Sequence, residues 1–148
     1  NNMTDDASRE RLNQNLVTLH FAFRGLVAEP DSILKTQGLS RIHHRLLFFI
    51  GHNDHLSVNE LVDTMRLTKQ AIHKPLKTLV EKELVEVTRD ATDKRVKRLA
   101  LTDAGSDLEQ RLTGIQHDLL NHAFEEVGPE GAEAWRRVME TMARRLGI

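Results

Sequence analysis

The chain has 148 residues, 39% of them hydrophobic and 29% charged, with a formal net charge of −1. That is enough for one domain with its own core, and no apolar run reaches the roughly 18 residues that a membrane-spanning helix needs. Cysteine is absent, which excludes disulfides, thiolate metal ligation and thiol redox sensing, and suits a reducing cytoplasm.

The polar, acidic start from Asn1 to Glu10 does not read as a secretory signal. Between residues 8 and 28, Leu12, Leu16, Leu19, Phe23, Leu26 and Val27 fall on one helical face, with Ser8 as its N-cap. Pro30 is expected to stop this helix, leaving Pro30 to Gly38 as a loop. Ser40 then caps a shorter helix with its stripe at Ile42, Leu46, Phe49 and Ile50, ending near Gly51. Leu56-Ser57-Val58 reads as a very short strand entering a helix, where Ser57 and Glu60 have capping-box spacing. Val58, Leu61, Val62 and Met65 form the buried face of that helix, and a turn follows at Arg66-Leu67. Thr68 caps the next helix, which points Ile72, Leu76, Leu79 and Val80 inward.

From Leu84 the period changes from helical to two. Val85 and Val87 alternate with Glu86 and Thr88, and after a polar tip Leu99 and Leu101 alternate with Arg98 and Ala100. This is a β-hairpin pattern. Thr102 caps a helix of about 25 residues, roughly 38 Å long at the standard rise, with Leu108, Leu112, Ile115, Leu119, Ala123 and Val127 along one face. Gly128-Pro129 breaks the chain, and a last helix to residue 146 carries Trp135, Val138, Met139, Met142 and Leu146.

Charge is unevenly placed. From Arg66 to Arg98 ten basic residues face five acidic ones, so this segment is +5 and the remainder is −6. A basic centre in an acidic frame points to a polyanionic partner at one surface. On the outward side of the helix after Thr68 lie Lys69, Gln70, His73, Lys74 and Lys77. Gln70 can bond adenine through its amide and Lys69 can reach guanine, while Lys74 and Lys77 suit phosphates. Ser57 and Thr68 stand at helix starts, where free backbone N–H groups also favour an anion.

The element order and the run from Arg89 to Gly105 resemble the MarR family of bacterial transcription regulators. The motif residues are Asp93-Lys94-Arg95 at the hairpin tip and Leu101-Thr102-Asp103-Ala104-Gly105 beyond it. The resemblance implies a mainly α fold with a small β-hairpin wing. A winged helix-turn-helix lobe at 39–101 would be held by a helical dimerisation region at 8–38 and 102–148. It implies that Arg95 enters a minor groove, with Asp93 orienting it, and that Arg89, Lys94 and Lys97 meet phosphates. Two positions depart from the family pattern. Pro75 lies inside the recognition helix and should kink it. Glu83 stands where the family commonly has Gly, at a left-handed cap.

The partners expected are double-stranded DNA bound as a pseudopalindrome and a second copy of the chain, with no membrane and no cofactor. The resemblance also implies a repressor released by a small aromatic or anionic effector, with a cleft drawn from His20, Phe23, Arg24, Ile42, His43, Leu46 and His117. Eight histidines raise the alternative of a metal-responsive regulator through His20, His43, His44, His117 and His122, although no pair has the i, i+4 spacing of a helical metal site. A winged helix used only for protein contacts is the other alternative. No Gly-rich phosphate loop, nucleophile elbow or Cys nucleophile is present, so no enzyme is expected.

Overall fold

The computed structural model describes residues 2–148. Helices α1 (Asn2–Thr36), α2 (Arg41–Gly51), α3 (Val58–Met65) and α4 (Lys69–Glu81) are followed by strands β1 (Val85–Arg89) and β2 (Lys97–Leu101), then helix α5 (Asp103–Ala143) and a 3-10 turn at Arg144–Leu146. The strands pair antiparallel with Val85 opposite Leu101 and Arg89 opposite Lys97. One core joins Leu34 of α1, Leu46 and Leu47 of α2, Leu61 of α3, Ile72 and Leu79 of α4, Leu99 of β2 and Leu112 of α5. Among the described residues, no helix is long and apolar enough to cross a membrane.

The first helix corrects the sequence reading. It starts before Ser8 and runs through Pro30 to Thr36. Proline removes the N–H that would serve the carbonyl four residues earlier, here that of Leu26. The side-chain amide of Gln116 on α5 donates to that carbonyl at 3.3 Å. Pro30 and Leu34 are fully buried, so packing holds the helix past its breaker. Gly38 (φ 70°) then ends the helix, with Leu39 N–H donating to Leu34 O at 2.9 Å and Gly38 N–H to Lys35 O at 3.1 Å.

Two more helices end in the same left-handed motif without glycine. Arg66 (φ 54°) ends α3, with Leu67 N–H on Val62 O, and Glu83 (φ 59°) ends α4, with Leu84 N–H on Leu79 O at 2.9 Å. Pro75 lies within α4, which continues past it to Glu81. Ile72, Leu76 and Leu79 anchor it on both sides of the proline, and Ala71, whose carbonyl loses its partner, lies on the exposed side where solvent can replace it. The strand expected at Leu56-Ser57-Val58 reduces to a single bridge between Ser57 and Arg98, with Leu99 N–H donating to Leu56 O at 2.9 Å. Gly128 (φ 75°, ψ 175°) breaks α5 where the sequence placed a break.

Much of the apolar stripe of α1 stays uncovered within one chain. Leu12 is 62% and Leu16 65% exposed, and Leu19 and Phe23 are exposed too. Beyond Leu112 the stripe of α5 is likewise open at Leu119, Val127, Trp135 (44%), Val138 and Met142. Trp135 packs edge-on against Phe124, with ring centroids 5.2 Å apart.

Candidate nucleic-acid interface

Local chemistry places the helix pair. Ser57 Oγ accepts from Glu60 N–H at 3.1 Å, and Ser57 N–H donates to Glu60 Oε1 at 3.3 Å, closing the capping box of α3. Thr68 Oγ1 accepts from Ala71 N–H at 3.1 Å and starts α4. With Ile72, Leu76 and Leu79 turned into the core, Lys69, Gln70, His73, Lys74 and Lys77 are left outward.

A groove of about 860 Å³ lies between the start of α3, the outer face of α4 and the hairpin. It gathers Ser57, Lys69, Gln70, His73, Lys74 and Lys77 on one side with Arg95 and Lys97 on the other. Asn59 and apolar side chains, among them Val58, Val80, Val87 and Val96, line the rest of its walls. Thr68, Arg89, Asp93 and Lys94 stand outside this lining. Thr68 is at the exposed head of α4, and the other three belong to the hairpin tip and its base. Lys77 lies 4.0 Å from Glu81 across one helical turn, a weak exposed pair that leaves it able to swing outward.

The hairpin tip is ordered by two aspartates. Asp90 Oδ2 accepts from Thr92 N–H at 3.1 Å, Thr92 Oγ1 at 2.8 Å and Asp93 N–H at 3.0 Å. Those donors, together with Arg98, hold the Asp90 carboxyl far below the usual carboxylate range. Asp93 grips Arg95 with both oxygens, Nε to Oδ1 at 3.1 Å and Nη2 to Oδ2 at 3.3 Å, and also accepts from Arg95 N–H at 3.1 Å. Arg95 lowers the Asp93 carboxyl in return. The side chain of Arg95 is nonetheless 91% exposed, so an anion can reach its outer edge. Arg89 Nη1 donates to Lys94 O at 2.7 Å and fixes the width of the tip.

Sequence reasoning does not single out Asp90, Glu60 as a partner of Arg98, or Arg98 itself, which charge counting treats as a free cation. Its Nη1 donates to Glu60 Oε1 at 2.6 Å and to His55 O at 3.3 Å, and its Nε to Asp90 Oδ1 at 3.0 Å. The spacing of Asp90, Thr92 and Asp93 is an Asx-turn signal that could have identified the first of these.

The residues suggested for an effector cleft do not behave as one set. Leu46 is fully buried in the core. His43 is drawn into the start of α2, where its Nδ1 accepts from Ser40 N–H at 2.9 Å. His20 and Arg24 lie against Phe21, the histidine edge-on with centroids 5.0 Å apart and the guanidinium 5.8 Å from the ring. His117 is exposed on α5, and Ile42 is half-buried on α2. Phe23 sits under the guanidinium of Arg41 at 4.9 Å, and Arg41 Nη2 donates to Asp31 Oδ2 at 2.7 Å. The sequence alone points to neither Arg41 nor Asp31, and Arg41 Nε and Asp31 Oδ1 are buried without a hydrogen-bond partner.

Among the described residues, no three His, Asp or Glu side chains converge as metal ligands do. His44 is instead buried in a polar chain between α2 and α5. The Thr113 hydroxyl donates to a Glu109 carboxylate oxygen. With its one proton so used, it accepts from His44 Nε2–H at 3.0 Å. Burial pushes the His44 imidazole below its ordinary value, and Glu109 opposes that shift.

A family model described as the MarR family matches residues 37–96. The chain is 35% identical over 133 residues to the HTH-type transcriptional regulator PetP of Rhodobacter capsulatus, an alignment covering 90% of this chain and 80% of that protein. It is 28% identical over 96 residues to the HTH-type transcriptional regulator SarZ of Staphylococcus epidermidis, 65% of each. Its structure is similar to that of Streptococcus pneumoniae FabT in complex with DNA, with a TM-score of 0.79 at 16% identity over 94% of this chain and 97% of that one. It is also similar to the S. aureus MepR–DNA complex, with a TM-score of 0.71 at 19% identity, covering 87% and 96%. At these identities the structural likeness is one of fold.

Proposed function

The chain belongs to the MarR family, and from that premise and the shape of the groove we propose that it is a DNA-binding transcription regulator, not an enzyme. The carrying observation is the groove itself, which sets Lys69, Gln70, His73 and Lys74 of α4 beside Arg95 and Lys97 of the hairpin. A helix start rich in amide and ammonium donors suits base edges in a major groove, and an exposed arginine on a thin tip suits the adjacent minor groove. A regulator acting on bacterial DNA works in the cytoplasm. The test is selection of a duplex from a random pool, followed by fluorescence anisotropy at increasing salt. Affinity should fall steeply as counterions compete for phosphate. A salt-insensitive interaction, or none, would favour a protein-contact role for the winged helix.

The regulator works as a homodimer in this reading, with lobe 39–101 carried on helices from 8–38 and 102–148. Support comes from the uncovered stripes of α1 and α5, which a second copy would bury. Sedimentation should give about twice the chain mass of 16.9 kDa. A small aromatic anion is the effector chemistry that fits the seam of α1 and α2, and its binding relieves repression. A ring would lie beside Phe23 and a carboxylate would compete with Asp31 for the partly exposed guanidinium of Arg41. Benzoate, as the simplest probe, should weaken duplex binding by the parent and leave Arg41→Gln unaffected. An equal response in both would remove Arg41 from the effector site.

A further inference from the structure

We propose that Arg98 is a positioning residue for the wing, which sets where Arg95 meets DNA without touching DNA itself; this rests on the DNA-binding reading above. Arg98 lies on β2 with its side chain 29% exposed and outside the lining of the groove. Its guanidinium joins two carboxylates from different parts of the fold. Glu60 belongs to the first turn of α3 and already caps Ser57. Asp90 folds the hairpin tip through Thr92 and Asp93.

The contacts therefore form one chain from the helix-turn-helix to the tip. Glu60 holds Arg98, Arg98 holds Asp90, Asp90 holds the backbone of Asp93, and Asp93 holds Arg95. The backbone tie to α3, at Ser57 and Leu56, reaches β2 at Arg98 and Leu99 and goes no further toward the tip. Beyond it, the tip is braced from within the hairpin, by Arg89 on Lys94 O and by Asp90 N–H on Val96 O. Arg95 lies three positions before Arg98, in the turn that Val96 N–H closes onto Asp93 O, a lever of at most roughly 10 Å. A fork with two fixed partners holds an angle better than a point charge can. Releasing it lets the tip pivot on the backbone tie and widens the range of positions open to Arg95.

The experiment uses the full chain, a duplex selected by the parent, and the variants Arg98→Met, Arg98→Lys and Glu60→Gln. Glutamine at 60 keeps an oxygen for the capping box, so this variant tests the clamp without unfolding α3. Arg98→Met and Arg98→Lys should each weaken duplex binding roughly tenfold, and Glu60→Gln should do so by less. In an Arg95→Ala background, Arg98→Met should cost less than about twofold, because a residue acting through Arg95 has nothing left to position. Without DNA, amide exchange at Thr92 and Asp93 should accelerate about tenfold in Arg98→Met, while the amides of Ile72 and Leu79 keep their protection. Losses that multiply in the double variant, parent-like binding by Arg98→Lys, or unchanged exchange at the tip would each overturn the inference and leave the DNA reading standing. A parent that selects no duplex would overturn both.

Discussion

Replacing Gly105 by alanine should destabilise the fold strongly, although alanine normally improves a helix. Gly105 is buried in the first turn of α5, where its N–H donates to Thr102 Oγ1 at 3.0 Å. A Cβ placed there would lie 1.9 Å from the carbonyl oxygen of Leu84 and 2.8 Å from its carbon. That oxygen belongs to the backbone between α4 and β1 and accepts from Thr102 N–H at 3.1 Å. The methyl group therefore cannot be accommodated by a side-chain rotation. Either α5 or the start of the wing must move, and the Thr102 bond to Leu84 stretches with it. Overpacking costs up to about 3 kcal/mol and a lost hydrogen bond about 1 kcal/mol. The better helix propensity of alanine returns about 1 kcal/mol. The net is about 3 kcal/mol, or roughly 6–12 °C in Tm for a chain of this size. Thermal unfolding followed by circular dichroism at fixed protein concentration measures it. A methyl group added at Gly114 in the same helix would meet nothing within 4 Å, so Gly114→Ala should be neutral or stabilising by up to about 1 kcal/mol. Equal melting of Gly105→Ala and the parent would refute the close-approach argument.

The remaining predictions concern the caps, the wing and the buried histidine. Glu83→Gly should stabilise by about 1 kcal/mol, because φ of 59° is strained for a residue with a Cβ; a Tm at or below that of the parent would count against it. Arg95→Ala should weaken duplex binding by about 1–3 kcal/mol with melting unchanged, and parent-like affinity would remove Arg95 from the interface. For His44, burial places the folded value below the ordinary 6.5. The unfolded chain then binds the proton more readily, so stability is complete above that pH and declines as pH falls through it. Denaturant titrations between pH 7.5 and about 5 should show the decline. His44→Gln, which keeps a donor for Thr113, should flatten it; His43, also lowered by burial, contributes the remainder. A parallel decline in both proteins would place the titration elsewhere.

The elements most legible in the sequence are those whose ends are written in local chemistry. Ser57 with Glu60, Thr68 with Ala71 and Thr102 with Gly105 are contacts of three residues' reach, and each start appears where the side chain is. Period two across Val85–Val87 and Leu99–Leu101 likewise reports its own hairpin. Pro30 misleads because its compensation comes from Gln116, far along the chain on another helix. At Pro75 buried neighbours on α4 likewise outweigh one missing bond, and the helix continues to Glu81. Local rules describe what a proline removes and are silent on what tertiary packing restores.

Charge counting has the same blind spot at the interface. The +5 of the central segment treats every cation as equally available. In the fold, Arg98 is spent on Glu60 and Asp90, and Arg95 is shared with Asp93, whereas Lys69 and Lys74 stand exposed along the groove. Two of the five acids that lower the count, Asp90 and Asp93, are thus the residues that shape the tip. A wing stripped of Asp90 and Asp93 would be more basic and would still lose its hold on Arg95. On the proposed DNA reading, a fixed arginine fork suits a narrow groove better than a mobile one, so these carboxylates contribute order as well as subtracting charge.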